Sequence, residues 1–313
     1  MRNKTPIAVT SRSFSVNPIL RAELLERYPD VLFNDQAMSL SGEALVKFAR
    51  ARRKLITGLE RLDETVLAAL PELEVVSKFG VGTDMIDMAA MARHGVRLGW
   101  TAGVNRRSVT ELVIAFMISL LRHVPLAHRE ICDGIWKNRK GRQISDRTVG
   151  IIGCGHVGKD LTTILRAFGC QVLAHDILDF PEFYFAHQVE PVGLEDLMRR
   201  ADIVSLHVPL DESTRNMLNA DRLALMKPDA LLINAARGGL VDEGALEAML
   251  RDGGLAGAGF DVFSSEPPHN LELLRLPNFL ATPHLGASTE EAILAMGRAA
   301  IEGLDHNALL TPG

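Results

Sequence analysis

The chain is poor in cysteine and has no run of apolar residues long enough to cross a bilayer. It also carries no excess of positive charge. Three cysteines, Cys132, Cys154 and Cys170, without regular spacing leave neither a disulfide framework nor a zinc site to build, so no metal is expected and a reducing cytoplasm is. The longest apolar stretches, such as 112–121, are interrupted by Ser119 and stay far below a membrane span. The first residues, Met-Arg-Asn-Lys-Thr-Pro-Ile-Ala-Val, lack the apolar core of a signal peptide. A formal net charge of -5 favours neither nucleic acid nor an anionic membrane surface. Internal repeats, low-complexity tracts and Pro/Ser-rich linkers are missing as well. What remains is 313 residues, 47% of them hydrophobic, enough for two ordinary domains with substantial cores.

Short apolar runs alternate with helical patterns, which predicts parallel sheets flanked by helices. Strands are expected at 6–10, 31–34, 54–57, 73–78 and 96–100, with helices at 18–28, 42–50, 63–69 and 84–94. A long amphipathic helix, about 108–123, and a polar loop at 133–146 follow. A second alternation places strands at 148–152, 171–175, 203–208, 230–234, 258–261 and 279–282. The final helix, about 289–307, carries a capping-box signature at Ser288-x-x-Glu291. If it returns to the first domain, the second domain is an insertion and a cleft separates the two.

The second alternation opens with Gly153-x-Gly155-x-x-Gly158 between a strand and a helix. The first glycine suits a tight turn, the second lets backbone approach a pyrophosphate, and the third permits close helix–sheet packing. Helix-terminal amides then favour phosphate. Alone, such a run is often only a glycine-rich turn. Asp176 ends the next strand, where a carboxylate accepts hydrogen bonds from ribose hydroxyls. No cation follows it to receive a 2′-phosphate, so NAD is expected rather than NADP.

Downstream stand Arg237, Glu266 and His284. Arg237, flanked by Gly238-Gly239 at a strand's carboxyl end, suits bidentate capture of a carboxylate. His284 suits proton transfer to an alkoxide near neutral pH, and Glu266 suits holding the other ring nitrogen and fixing the tautomer. Taken singly, these read as a surface salt-bridge partner, a structural histidine and a loop carboxylate. Together with a dinucleotide site they form a set able to reduce a carbonyl beside a carboxylate. In the first domain, the Gly80-Val81-Gly82 turn reads either as a structural turn or as a set of amides for a substrate carboxylate.

These segments resemble the NAD-dependent D-isomer-specific 2-hydroxyacid dehydrogenases, the phosphoglycerate dehydrogenase-like branch most of all. The resemblance rests on residues 80–87, 108–113, 148–158, 233–239, 259–267 and 282–289, and runs from about Lys54 onward. It implies a Rossmann cofactor domain at 102–286 inserted into a flavodoxin-like substrate domain made of 1–101 and 287–313, both doubly wound parallel sheets. It implies catalytic roles for Arg237, Glu266 and His284, with Val81 and Gly82 joining Arg237 and His284 at the substrate. NAD would be held by Gly153, Gly155, His156, Val157, Gly158, Asp176, His207, Val208, Pro209, Ala235, Ala236, Asp261 and Gly286. The expected activity is hydride transfer between NAD(H) and a small (R)-2-hydroxy or 2-oxo acid such as 3-phosphoglycerate, hydroxypyruvate or glyoxylate. A homodimer paired through the cofactor domains is also implied. The rival reading is an NAD(H)-sensing, corepressor-like binding protein on the same fold.

There are departures from the resemblance. Gly58 stands where phosphoglycerate enzymes commonly carry arginine, leaving Lys78 and Arg61 as candidate substitutes. Met85 replaces a frequent asparagine and Asp146 a frequent glycine. Glu266, rather than glutamine, disfavours a formate dehydrogenase.

Overall fold

A computed structural model describes residues 3–310. By contact density the chain divides into two compact units, one running up to Asn105 and resuming at Ala287, the other spanning Arg106–Gly286. The first division therefore falls four residues beyond the expected 101, at the start of the helix Arg106–Leu121.

In the first unit, apolar β-branched and leucine-rich runs form β1 (Ile7–Val9), β2 (Val31–Phe33), β3 (Lys54–Thr57), β4 (Val75–Lys78) and β5 (Arg97–Gly99). The central strands β1, β3 and β4 are buried along their whole length, as strands covered on both faces must be. They pair in parallel in the order β2-β1-β3-β4-β5, the flavodoxin-like arrangement. A strand absent from the expectation, β13 (Ala308–Leu309), pairs antiparallel with the edge strand β5 through Ala308 opposite Leu98. Two residues are too few to announce themselves by periodicity.

The return helix, Glu290–Gly303, packs into the first unit's core through Met296, Ala300 and Ile301. Ser77 Oγ donates to the Ala300 carbonyl at 2.6 Å, and Arg298 pairs with Glu23 at 2.8 Å. Its cap differs from the expected box by one residue. Thr289 is the extended residue before the first turn, and its hydroxyl accepts from the Ala292 amide at 3.2 Å.

In the second unit, β6 (Thr148–Ile152), β7 (Gln171–His175), β8 (Val189–Pro191), β9 (Ile203–Leu206), β10 (Leu231–Asn234), β11 (Gly257–Phe260) and β12 (Phe279–Ala281) form one parallel sheet. The order β8-β7-β6-β9-β10-β11-β12 is the dinucleotide-binding arrangement extended by a seventh strand. β8 was not expected, since Val-Glu-Pro offers no run to read. The helix Arg106–Leu121 packs its Phe116 against β11 where Gly259 leaves room. It ends two residues early, and after His123 a separate helix, Val124–Cys132, begins. Among the described residues no single helix is long and apolar enough to cross a membrane.

Candidate active site

Because all seven strands of the second unit run the same way, their carboxyl ends share one edge, and each candidate residue follows a strand directly. The glycine loop follows β6 and Asp176 follows β7; His207 follows β9 and Arg237 follows β10. Asp261 and Glu266 follow β11, and His284 follows β12. The strand order reverses between β6 and β9, where open parallel sheets bind ligands.

The glycine loop fits a dinucleotide. A Cβ on Gly158 would lie 2.2 Å from the Gly153 carbonyl oxygen, so the helix His156–Ala167 approaches the loop as closely as only glycine allows. A Cβ on Gly155 would meet nothing within 4 Å, so this side of the loop is open to a phosphate. No side chain caps that helix, leaving His156 and Val157 amides at its positive end. Asp176 accepts the Cys154 amide at 2.6 Å on one oxygen and the Leu178 amide at 2.9 Å on the other. Each oxygen keeps a further acceptor position for a ribose hydroxyl. Beside it lies a cavity of about 330 Å³ lined by Asp176, Ile177, Leu178, Asp179, Tyr184 and Val192 among others. No lysine or arginine lines it, in keeping with NAD. Tyr184 was not singled out from sequence, because it reaches the cavity from the unanticipated helix Pro181–His187.

His207 lines the opposite side of the switch point, its backbone touching the position a Gly153 Cβ would take. Its Nε2 lies 2.9 Å from Ser205 Oγ. Part of the residue reaches solvent, yet the ring is closely surrounded, and that desolvation holds its pKa down at about 4. The ring is therefore neutral at pH 7. Next to it, the Pro209 carbonyl accepts from Thr214 Oγ1, which fixes the turn carrying Val208.

The candidate catalytic side chains are held by a small buried frame. Asp261 is 1% exposed. One of its oxygens accepts the Thr282 hydroxyl and the Leu285 amide, the latter at 2.6 Å; the other accepts the Gly286 amide at 2.7 Å. The backbone adds His284 N–H to the Asp261 carbonyl at 2.9 Å. Together these hold His284 at φ +56, a left-handed conformation that a non-glycine residue adopts only under such constraint. The sequence-based expectation gave Asp261 only a cofactor contact. The structure shows its carboxylate fixing the histidine loop, with one acceptor position left on the oxygen bound to Gly286.

His284 Nδ1 and Glu266 Oε2 are 2.8 Å apart. With the carboxylate as acceptor, Nδ1 carries hydrogen and Nε2 is the nitrogen left for proton exchange. Glu266 is oriented in turn by the Phe263 amide, at 3.3 Å. Arg237 lies on a loop that Asn234 folds back, donating to the Arg237 carbonyl at 2.9 Å and accepting the Ala236 amide at 3.1 Å. That geometry also turns Ala235 and Ala236 around the end of β10. Arg237 donates one N–H to the Ala236 carbonyl at 2.6 Å; its guanidinium has further donors, and the residue is held by more than this bond.

Residues 114–286 match the model of the D-isomer specific 2-hydroxyacid dehydrogenase NAD-binding domain. The chain belongs to the D-isomer specific 2-hydroxyacid dehydrogenase family. It is 34% identical over 289 residues to a hydroxypyruvate reductase of Thermotoga maritima, covering 91% of each chain. It is 36% identical over 258 residues to a D-3-phosphoglycerate dehydrogenase of Methanocaldococcus jannaschii, spanning 82% of this chain but 49% of that protein. Among solved structures, a D-isomer specific 2-hydroxyacid dehydrogenase from Polaromonas superposes with a TM-score of 0.88 at 28% identity, covering 97% of this chain and 96% of the other. As a member of this family the protein is an NAD-dependent oxidoreductase; nothing supports the corepressor-like alternative.

In the dehydrogenase's first unit, Val81 and Gly82 lie in the loop after β4. Gly80 adopts φ +116, and among the described residues the amides of Gly80, Val81, Gly82 and Thr83 have no hydrogen-bond partner. The two cations that were candidates to replace an arginine at Gly58 differ sharply. Arg61 is exposed and paired loosely with Asp63 at 3.5 Å. Lys78 is 3% exposed and its ammonium donates to the Gly58 carbonyl itself and to that of Phe79. The strand β4 thus delivers a cation to the point where the end of β3 has none.

Proposed function

We propose that this dehydrogenase interconverts a small 2-oxo acid and its (R)-2-hydroxy acid, with Arg237, His284 and Glu266 as its catalytic set. Bound NADH supplies the hydride in the direction of reduction. Arg237 pairs with the substrate carboxylate and polarises the neighbouring carbonyl. His284 gives its Nε2 proton to the oxygen as negative charge develops there. Glu266 keeps the ring in the tautomer and orientation that this requires. Val81 and Gly82 offer amides to the substrate as anion donors. The observation that carries the reading is the 2.8 Å pairing of Glu266 with a histidine locked in a left-handed turn by Asp261. Such constraint is spent on a group whose direction matters.

Substrates within reach include hydroxypyruvate, 3-phosphohydroxypyruvate and glyoxylate. The Thermotoga relative's name favours hydroxypyruvate, while buried Lys78 beside Gly58 favours an acid bearing a second negative group. NADH oxidation against a panel of 2-oxo acids, phosphohydroxypyruvate beside hydroxypyruvate, decides among them. Turnover on none, with NADH bound, sinks the reading.

We further place the enzyme in the cytoplasm, where its three free thiols stay reduced, and as a homodimer. The helix Val124–Cys132 buries none of its residues; Val124, Ile131 and Ile135 are half-exposed and Trp136 is 90% exposed. An apolar surface of this kind fits a second copy of the chain. A single-chain mass by light scattering would remove the dimer.

A further inference from the structure

Resting on that reading of the loop as a substrate-anion site, we propose that Trp100 is a positioning residue that sets the direction of the Gly82 amide. Trp100 directly follows β5, and its indole N–H donates to the Val81 carbonyl at 3.0 Å. Among the described residues this is the one hydrogen bond made by Gly80, Val81 or Gly82. On either side of these three residues the loop is tied by the Phe79 amide to the Thr57 carbonyl at 2.8 Å, the Lys78 ammonium to the Phe79 carbonyl at 3.3 Å, the Ile86 amide to the Thr83 carbonyl at 2.9 Å and the Leu62 amide to the Met85 carbonyl at 2.9 Å, and Asp84 is held as well.

A trans peptide unit holds its C=O and N–H antiparallel. Pinning the Val81 carbonyl toward the indole therefore turns the Gly82 N–H to the opposite side. Without the indole, that plane is free to flip through compensating rotations of ψ at Val81 and φ at Gly82, the second of which glycine makes inexpensive. A flip would replace a donor by a carbonyl oxygen, which repels a carboxylate. The indole is thus a distant determinant of anion affinity. It touches no substrate itself, and its position nineteen residues from Val81 hides the link from any local motif.

Two variants test this: Trp100→Phe, and replacement of Trp100 by 3-benzothienylalanine, which keeps the indole's shape without its N–H. Expected in both is a rise of about tenfold in KM for the preferred 2-oxo acid, the loss of one directed hydrogen bond. The Kd for oxamate, measured by calorimetry with NADH present, rises in parallel. Meanwhile kcat, KM for NADH and Tm stay at their wild-type values. Unchanged KM and unchanged oxamate affinity overturn the proposal. So does a joint fall of kcat, NADH affinity and Tm, which would mark Trp100 as a packing residue only. Should the wild-type protein turn over no 2-oxo acid, the dehydrogenase reading fails, and the oxamate titration still decides the role of Trp100. Weaker binding in both variants then supports it, whereas equal binding, or none to the wild type, overturns it.

Discussion

The two units solve the same problem, holding polar groups at the ends of parallel strands, by different means. In the second unit each functional side chain lies within a few residues of a strand end and is fixed by neighbours in sequence or on the adjoining strand. Asn234 folds the Arg237 loop, Phe263 orients Glu266, and Asp261 with Thr282 cages His284. In the first unit the corresponding ties run between adjoining strands rather than within a loop, and one reaches across the chain. Lys78 reaches Gly58, Trp100 reaches Val81, and Lys54 reaches Leu304 and Asp305. Chemistry built from local ties is readable as motifs. Ties of long sequence separation are not.

The largest effect that would break this comparison lies at His284. Replacing it by alanine should depress turnover by about 10² to 10⁴, while NADH affinity and Tm hold, since the Asp261 frame uses the residue's backbone and not its ring. Steady-state kinetics beside an NADH titration check this, and retained turnover would remove His284 from catalysis.

The opposite pattern is expected at Lys54 in the first unit. Its ammonium is nearly buried and donates to Tyr28 Oη at 2.9 Å, the Leu304 carbonyl at 2.6 Å and Asp305 at 3.1 Å, holding the chain that follows the return helix. Burial and the Asp305 carboxylate hold the Tyr28 hydroxyl in its neutral form, well above the usual phenol range. Lys54→Met strands these acceptors and should lower stability by about 1–3 kcal/mol, read as a lower denaturant midpoint, with kcat per folded molecule unchanged. A loss of kcat without loss of stability would erase the distinction between the units.

A smaller effect sharpens it. The His207 ring titrates near 4 in the folded protein against 6.5 as a free side chain. The unfolded chain therefore takes up the proton first as pH falls. Stability from this residue is intact above pH 6.5 and declines toward pH 4, with a slope of up to about 1.4 kcal/mol per pH unit. His207→Asn should flatten that part of the acid limb in NAD-free protein. Equal acid sensitivity of variant and parent would show the ring to be better hydrated than its surroundings imply.

Much of the architecture was legible because strands buried on both faces are nearly continuous apolar runs, as in Ile7–Val9, Leu231–Asn234 and Thr148–Ile152. Among the elements that escaped are the edge strands Val189–Pro191 and Ala308–Leu309 and the short helices Val124–Cys132 and Pro181–His187. Pairing with an existing sheet edge sustains the two strands, and no pattern of their own could signal them. At the site, the pairing of His284 with Glu266 was legible from residue types alone. The turn Asp261 imposes on His284 was not, because it depends on where β11 and β12 end relative to one another.

The sequence by itself therefore determined the parallel α/β class and the dinucleotide loop, and singled out Arg237, Glu266 and His284 as the candidate catalytic set. Those features follow from glycine placement, apolar periodicity and side-chain chemistry within short windows. The tertiary structure alone decided that Lys78 rather than Arg61 reaches Gly58, that Asp261 braces His284, and that Trp100 pins Val81. Each depends on the register between neighbouring strands, a cooperative product of packing the whole sheet that no single segment encodes.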